Sequence, residues 1–346
     1  MDCGWSTFHG NNARTGYRDT TGPSDSPHVQ WRFEIAPGLR SSPAVANDTV
    51  YIGGRDDTVY AVGASNGIEQ WQFQAGNWID SSPAIADGTV YIGSNDGNLY
   101  ALDTGDGSEE WRFQTRNWVE SSPAVVDGVI YVGSHDYHLY AIDAKTGTEY
   151  WKVKTGGEVI SSPSVHKGTV FIGSRDAHLY AVDATIGAVE WRSKTTDRVY
   201  GAPTVSAGMV IVGCEDCLHA FDVENGAECW QCDAVGGVIA TAAVHEDQAY
   251  IGSFDDGRGY IHAIDIRDGS ELWRFQTGNG IVSSAAIADG ILYVGCLDST
   301  IYALNTTDGG LEWCYETGGE VASSPTVIEN AVYIAGWDSL YCFSEI

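Results

Sequence analysis

Lysine is scarce in this chain, five residues among 346, as are methionine with two and proline with nine. No run of 18 apolar residues exists, which excludes a membrane-spanning helix. Basic residues total 18 against 47 Asp and Glu, a formal net charge of -29. Such a charge repels nucleic acid and anionic membrane surfaces, so neither is expected as a partner. Also missing are a nucleophile elbow, a Walker loop, a metalloprotease helix and an isolated carboxylate pair, and His, Asp and Glu fall in no recognisable triad order. No signal-peptide pattern precedes Trp5, so a cytoplasmic location is expected, with an exported or cell-surface location the alternative if Met1 stands in place of a removed signal.

What the chain has is one sentence written eight times. Residues 81–111 read SSPAIADGTVYIGSNDGNLYALDTGDGSEEW, and the closing Trp recurs at Trp31, Trp71, Trp111, Trp151, Trp191, Trp230, Trp273 and Trp313. A period near 40 residues that reads as strands means a propeller. Within this unit, residues 81–86, 89–93, 99–102 and 108–114 are strands, separated by Asp87-Gly88, by Asn95 and Asp96, and by the Asp/Gly-rich turn 103–107. The middle strands are apolar without alternation and should be covered on both faces, as neighbouring blades would do.

Seven repeats, beginning at Ser41, Ser81, Ser121, Ser161, Gly201, Ala240 and Ser283, carry four strands each, and the last, from Ser323, carries three. The missing strand stands at the other end, in residues 29–35 (VQWRFEI). The expectation is an all-β, eight-bladed propeller of four-stranded antiparallel blades, its ring closed by that N-terminal strand in the last blade. Residues 1–28 form a lead-in, residues 29–346 the single propeller domain, and a monomer is expected.

The unit SSPAV, VYIGSxDG, LYALD, TG and a following Trp resembles the pyrroloquinoline quinone-type propeller repeat, and the lead-in Trp5-Ser6-Thr7-Phe8-His9-Gly10-Asn11-Asn12-Ala13-Arg14-Thr15-Gly16-Tyr17 is similar to the segment before the first blade in many single-domain members. The resemblance implies the fold. It leaves function open between quinone-dependent alcohol dehydrogenases, the propeller lipoprotein scaffold of the outer-membrane barrel-assembly machine, and sensor domains attached to kinases. In the dehydrogenase members a disulfide between adjacent cysteines and a calcium site hold the cofactor, beneath inserted loops. This chain has no adjacent cysteines and short inter-strand loops, so no cofactor is expected, neither pyrroloquinoline quinone nor its calcium.

Residues that recur in every blade are read as structural. Asp56, Asp96, Asp136, Asp176, Asp216, Asp255, Asp298 and Asp338 share one turn position and cap it, and the eight repeat Trp anchor blade packing. One face, with its Asp-Gly and Asp/Thr/Gly turns, reads as solvated acidic surface. The other departs from the template. Its inter-blade linkers carry Trp78 with Asp80 and Trp118 with Glu120, and its turns present Arg55, Asn95, His135, Tyr137, His138, Arg175, His178, Phe254 and Trp337. Before the first strands stand Arg40, Asp80 and Glu120 in blades one to three, then Ile160, Tyr200, Ile239, Val282 and Ala322. Aromatic planes beside carboxylates and imidazoles suit a protein partner, a sugar or another polar small molecule; the alternative is that the Trp residues pack over the blade tops.

Two blades break the period. The sixth carries three extra residues around Asp255-Asp256-Gly257-Arg258-Gly259-Tyr260, so that its turn should project on that same face; the fifth is one residue short and holds Cys214, Cys217, Cys229 and Cys232. Two CxxC pairs invite zinc. Folding about residues 224–226 places Cys217 opposite Cys232 and Cys229 on the other face, so three ligands, a Cys217–Cys232 disulfide, or free buried thiols are the alternatives. Cys3, Cys296, Cys314 and Cys342 show no ligand spacing.

The function expected is a non-catalytic binding or scaffold propeller, with a quinone-dependent dehydrogenase or a small-molecule sensor as the alternatives. The Asp-rich, Lys-poor composition resembles that of halophilic proteins, whose self-repulsion molar salt screens over roughly 3 Å. Desalting is therefore expected to lower the melting temperature, and equal melting temperatures in molar and millimolar salt would refute a salt-adapted surface.

Overall fold

Asp87 and Gly88 both take positive φ, 49° and 84°, the signature of a two-residue type I′ hairpin turn, and they join β6 (Ala84–Ala86) to β7 (Thr89–Gly93). Strands β8 (Asn98–Asp103) and β9 (Glu109–Gln114) complete a four-stranded antiparallel sheet in the order β6-β7-β8-β9. The computed structural model describes residues 4–24, 27–233, 236–255 and 257–345. Among them are thirty-two strands, numbered in chain order, in eight such sheets. No helix there is long and apolar enough to cross a membrane.

The middle strands are buried on both faces, β7 along its whole length, whereas outer β9 alternates half-buried and exposed. The apolar core lies between blades: Tyr91, Leu99 and Ala101 of the second blade pack against Ile130, Val132 and Tyr140 of the third.

Seven of the eight blades are tied to the next by a hydrogen bond from the repeat Trp. A β-bulge shifts the register between Ala101 and Leu102 and sets Trp111 opposite Ala101, where a small residue leaves room. The Trp111 indole then donates to the Ala144 carbonyl of the following blade at 3.1 Å. The same bond runs from Trp71 to Thr104, Trp151 to Ala184, Trp191 to Val223, Trp230 to Ile266 and Trp273 to Thr306. Trp313 donates instead to Pro23 of the lead-in.

A belt of hydroxyls reinforces the ring at its axis. The Ser42 amide donates to Ser82 Oγ, Ser82 to Ser122, and Ser122 to Ser162, each at 2.9 Å. Ala202, lacking a hydroxyl, interrupts the belt, which resumes from Ala202 to Thr241, Ser284 and Ser324. Closure comes from the chain's own end. Strand β1 (His28–Glu34) pairs antiparallel with β32 (Ser339–Ser344), the Trp31 indole reaches the Ala64 carbonyl at 2.8 Å, and the Ser324 amide returns to Ser42 Oγ at 2.9 Å.

The three extra residues of blade six lengthen its hairpin: β23 (Gln248–Asp255) and β24 (Arg258–Asp265) each run eight residues.

The clamp leaves a test. Gly107 has φ +72°, and a Cβ there would lie 2.5 Å from the Trp71 ring, whereas Gly128, at φ +76°, opens onto empty space. Gly128→Ala is expected to cost about 1–2 kcal/mol of stability, the left-handed penalty alone, and Gly107→Ala more, because the indole must move as well. Equal costs in urea denaturation would show that the Trp contact tolerates displacement.

Candidate functional site

The first strand of each blade lines the axis with no neighbour on its inner edge, so its free amides require acceptors. The lead-in supplies them. Carbonyls of Trp5, Ser6, Asn12, Ala13, Thr15 and Gly16 accept from Val45, Ile85, Val165, Val205, Val244 and Ile287 at 2.7–2.9 Å. Asn12 Nδ2 donates to the Val125 carbonyl, and the Asn330 amide donates to Thr21. All eight blades are thus touched by one segment. At its centre Arg14 is fully buried and donates to the carbonyls of Pro163, Ser122, Pro123 and Phe8 and to Thr7 Oγ1. Burial without a carboxylate pushes its guanidinium down to about 9. His9 ties the segment to blade seven through the Ala285 carbonyl at 2.8 Å, and Tyr17 stacks on His245 at 4.0 Å.

This plug closes the axial channel from the face of the Asp-Gly turns. What is left on the other face is a cup of about 150 Å³, floored by Phe8, walled by the hydroxyl belt and rimmed by Arg40, Asp80, Tyr200, Ile239, Val282 and Ala322.

Around the cup, side chains from turns and linkers pair across blades. Arg55 forks onto Asp80 at 2.7 and 3.1 Å and lies 4.8 Å over the Trp78 ring; Asn95 Nδ2 donates to Asp80 from the other side at 3.2 Å. His135 Nε2 stands 3.1 Å from Glu120 Oε2, an ion-pair distance without hydrogen-bond alignment, and its ring lies 5.5 Å from that of Trp118. Arg175 pairs with Glu158 and covers the Tyr200 ring, and Tyr200 donates to Glu215 at 2.9 Å. Glu158, Tyr200 and Glu215 were not singled out as site residues from the sequence; their spacing carries no signal, and only the ring brings them together.

His138 and His178 belong to a different set. Each Nδ1 lies 2.9 Å from the backbone carbonyl of its own turn Asp, Asp136 or Asp176, and each ring rests on the following Tyr. The turn Asp residues do more than cap. In five blades one oxygen accepts from the Tyr four residues on, as Asp96 does from Tyr100 at 2.6 Å, and in four it also accepts an amide from the preceding linker. Asp216 departs, bonding Thr196, and Asp338 pairs with Arg32; the Asp255 side chain lies outside the described residues.

Large aromatics crown this face. Trp78, Trp118, Tyr137, Phe254 and Trp337 are 41–46% exposed. The Trp78 and Trp118 carbonyls accept from the turn amides of Asn95 and His135, and Trp337 accepts from Gly38, so each aromatic sits where linker meets turn.

The cysteines correct the sequence reading. Cys217 does not face Cys232: the bulge at Ala220/Phe221 moves β21 (Glu228–Cys232) by one residue, and Cys232 pairs with Leu218. Cys232 lies in the apolar packing between blades five and six, Cys229 is exposed on the opposite face, and none of the four is in a disulfide. Cys214 and Cys217 converge instead with His219, their ligand atoms within 4.8 Å of one another.

A family model described as outer membrane protein assembly factor BamB matches residues 24–135, 79–161, 138–255 and 257–344. No curated protein matches the sequence. Among solved structures, a europium-containing methanol dehydrogenase superposes with a TM-score of 0.88 at 13% identity, over 99% of this chain and 98% of that one. BamB from Moraxella catarrhalis gives 0.78 at 20% identity, over 93% and 98%, and quinohemoprotein alcohol dehydrogenase from Comamonas testosteroni 0.84 at 14%, over 99% and 80%. These likenesses show a shared fold.

Replacing Arg14 removes the donor that answers five oxygens, four of them buried. Arg14→Ala is expected to cost about 3 kcal/mol or more, read as a shifted urea midpoint; an unshifted midpoint would mean that water replaces the guanidinium without penalty.

Proposed function

The chain belongs to the family of outer membrane protein assembly factor BamB, and from that membership we propose that it is a non-catalytic binding propeller that docks a protein partner on the face around the axial cup. The observation that carries this reading is the placement of exposed aromatics. Of six large aromatics exposed among the described residues, five crown this face and one, Tyr150, lies elsewhere. Trp and Tyr backed by Arg are the side chains that anchor protein interfaces. Here the anchors are held from beneath, Trp78 by Arg55 and Trp118 by His135, so little side-chain freedom is lost on docking.

The second reading is a quinone-dependent dehydrogenase, favoured by the superposition on methanol dehydrogenase. The cup weighs against it. Its volume of about 150 Å³ falls below the roughly 300–1,000 Å³ of small-molecule pockets. Its one rim carboxylate in reach of the axis, Asp80, is already held by Arg55 and Asn95, and seven of the belt hydroxyls accept neighbouring amides. The residues present do not fit a planar quinone with calcium.

Affinity capture from the native cell extract, wild type against Trp78→Ala/Trp118→Ala, tests the reading, with Tyr150→Ala as the control. Partners retained by wild type and by the control, and weakened at least tenfold by the double variant at an unchanged melting temperature, are the expected result. Capture indifferent to the double variant, or a thermal shift on adding pyrroloquinoline quinone with calcium, would overturn it.

A further inference from the structure

Blade five is where the repeat is shortened. Four residues separate Gly213 from its partner Leu218, where five separate Gly133 from Leu139. Two other departures fall in the same hairpin. Cys214 occupies the position held by Ser94, Ser134, Ser174 and Ser253 in four other blades, and His219, opposite Val212, occupies that of Tyr140, opposite Val132. The deletion draws Cys217 inward, and all three side chains are buried.

The donors converge. Cys214 Sγ and Cys217 Sγ are 3.1 Å apart, well beyond the roughly 2.05 Å of a disulfide, and Cys217 Sγ is 3.1 Å from His219 Nε2. Asp216 Oδ1 stands 3.3 Å from Cys214 Sγ. Beyond them Glu228 Oε1 holds His219 Nδ1 at 2.7 Å, which fixes the tautomer with the Nε2 lone pair aimed at the thiols. Thr196 Oγ1 lies among the four donors, 3.2 Å from Cys214 Sγ, 2.9 Å from Cys217 Sγ, 3.1 Å from His219 Nε2 and 2.6 Å from Asp216 Oδ1. The Thr196 amide also donates to His219 Nε2 at 3.3 Å and the Cys214 thiol to the Cys217 carbonyl at 3.1 Å, so an ion would take the place now filled by the Thr196 hydroxyl. A tetrahedral zinc, with bonds near 2.3 Å to sulfur and 2.0 Å to nitrogen, sets donor separations of roughly 3.3–3.8 Å; the thiol pair and the Cys217–His219 pair are a short outward movement from that, and Asp216 stands outside the group of three.

We propose that Cys214, Cys217 and His219 form a structural site for zinc or a similar borderline divalent ion, with Glu228 orienting the histidine and the fourth position left to Asp216, which borders Cys214, or to water. The ion cross-links a turn that the deletion has left without its Tyr–Asp hydrogen bond. It requires both thiols deprotonated, so uptake of the ion releases protons. The chain contains its own control. In blade six His262 takes the same position, with Glu271 on Nδ1 at 2.9 Å, but its Nε2 meets Ser253 Oγ at 2.9 Å, and among the described residues it belongs to no cluster of metal-ligating side chains.

Full-length protein, reduced and stripped with a chelator, is titrated with Co²⁺ and then Zn²⁺. One equivalent of Co²⁺ with a thiolate-to-metal charge-transfer band, displaced by Zn²⁺, is expected. Cys214→Ser, which installs the residue of four other blades and so should fold, abolishes the band, as does Cys217→Ser. Cys229→Ser, Cys232→Ser and His262→Gln leave it intact, and Glu228→Gln weakens affinity about 10–100-fold. A band surviving in Cys214→Ser, or reduced protein that takes up no metal, overturns the proposal; in the latter case a mass two hydrogens lighter before reduction would identify the pair as a redox dithiol.

Discussion

The ring depends on one contact repeated around it, an indole that leaves its own blade to bond a carbonyl in the next. An amide-type hydrogen bond contributes only about 0.5–1.5 kcal/mol net. The Trp brings with it an aromatic surface of about 150–250 Å², and that surface needs somewhere to lie. The requirements radiate from there: a bulge to set the residue in register, an Ala opposite, and a glycine in the neighbouring turn against the ring. The near-constant period of the sequence is the imprint of this one fit, and a blade cannot drift from its neighbour without breaking it.

The two faces become unequal through the lead-in. A propeller's axis exposes the inner edge of every blade, and here a single segment answers the exposed amides of nearly all of them while Arg14 gathers carbonyls from the third and fourth. With one end of the channel closed, recognition has only the other end and its surroundings to work with. The departures from the repeat concentrate there, in cross-blade pairs such as Arg55 with Asp80 and Arg175 with Glu158.

The sequence made the blades legible because the signals involved are local. Asp87-Gly88, the unbroken apolar strands and the Trp spacing each declare their element within a few residues, and the incomplete last repeat pointed to β1 as its partner. The exposed Trp78 and Trp118 were legible too, as departures from a template. What was not legible is pairing over distance. Nothing in the spacing of Tyr200 and Glu215 says that they bond, nor that Arg14 ends at the axis. The cysteines show a subtler limit: the turn of blade five was read correctly, yet one bulge residue at Ala220/Phe221 moved Cys232 away from Cys217 and left His219, unnoticed as a polar member of an apolar strand, as the third member of the cluster.

Closure by β1 and β32 has a kinetic side. In an open solenoid each repeat contacts only its neighbours, and order spreads along the chain a unit at a time. Here His28 pairs with Ser344, and Ser42 receives the Ser324 amide, contacts spanning nearly the whole sequence. Loop-closure entropy must be overcome before such contacts return anything. The lead-in and β1 are therefore among the last elements to find their place, and the plug, the belt and the eighth blade complete together. Until that step the axis stands open and β32 is an unpaired edge. For a chain carrying a charge of -29, mutual repulsion between such half-closed rings guards the interval in which they would otherwise join edge to edge.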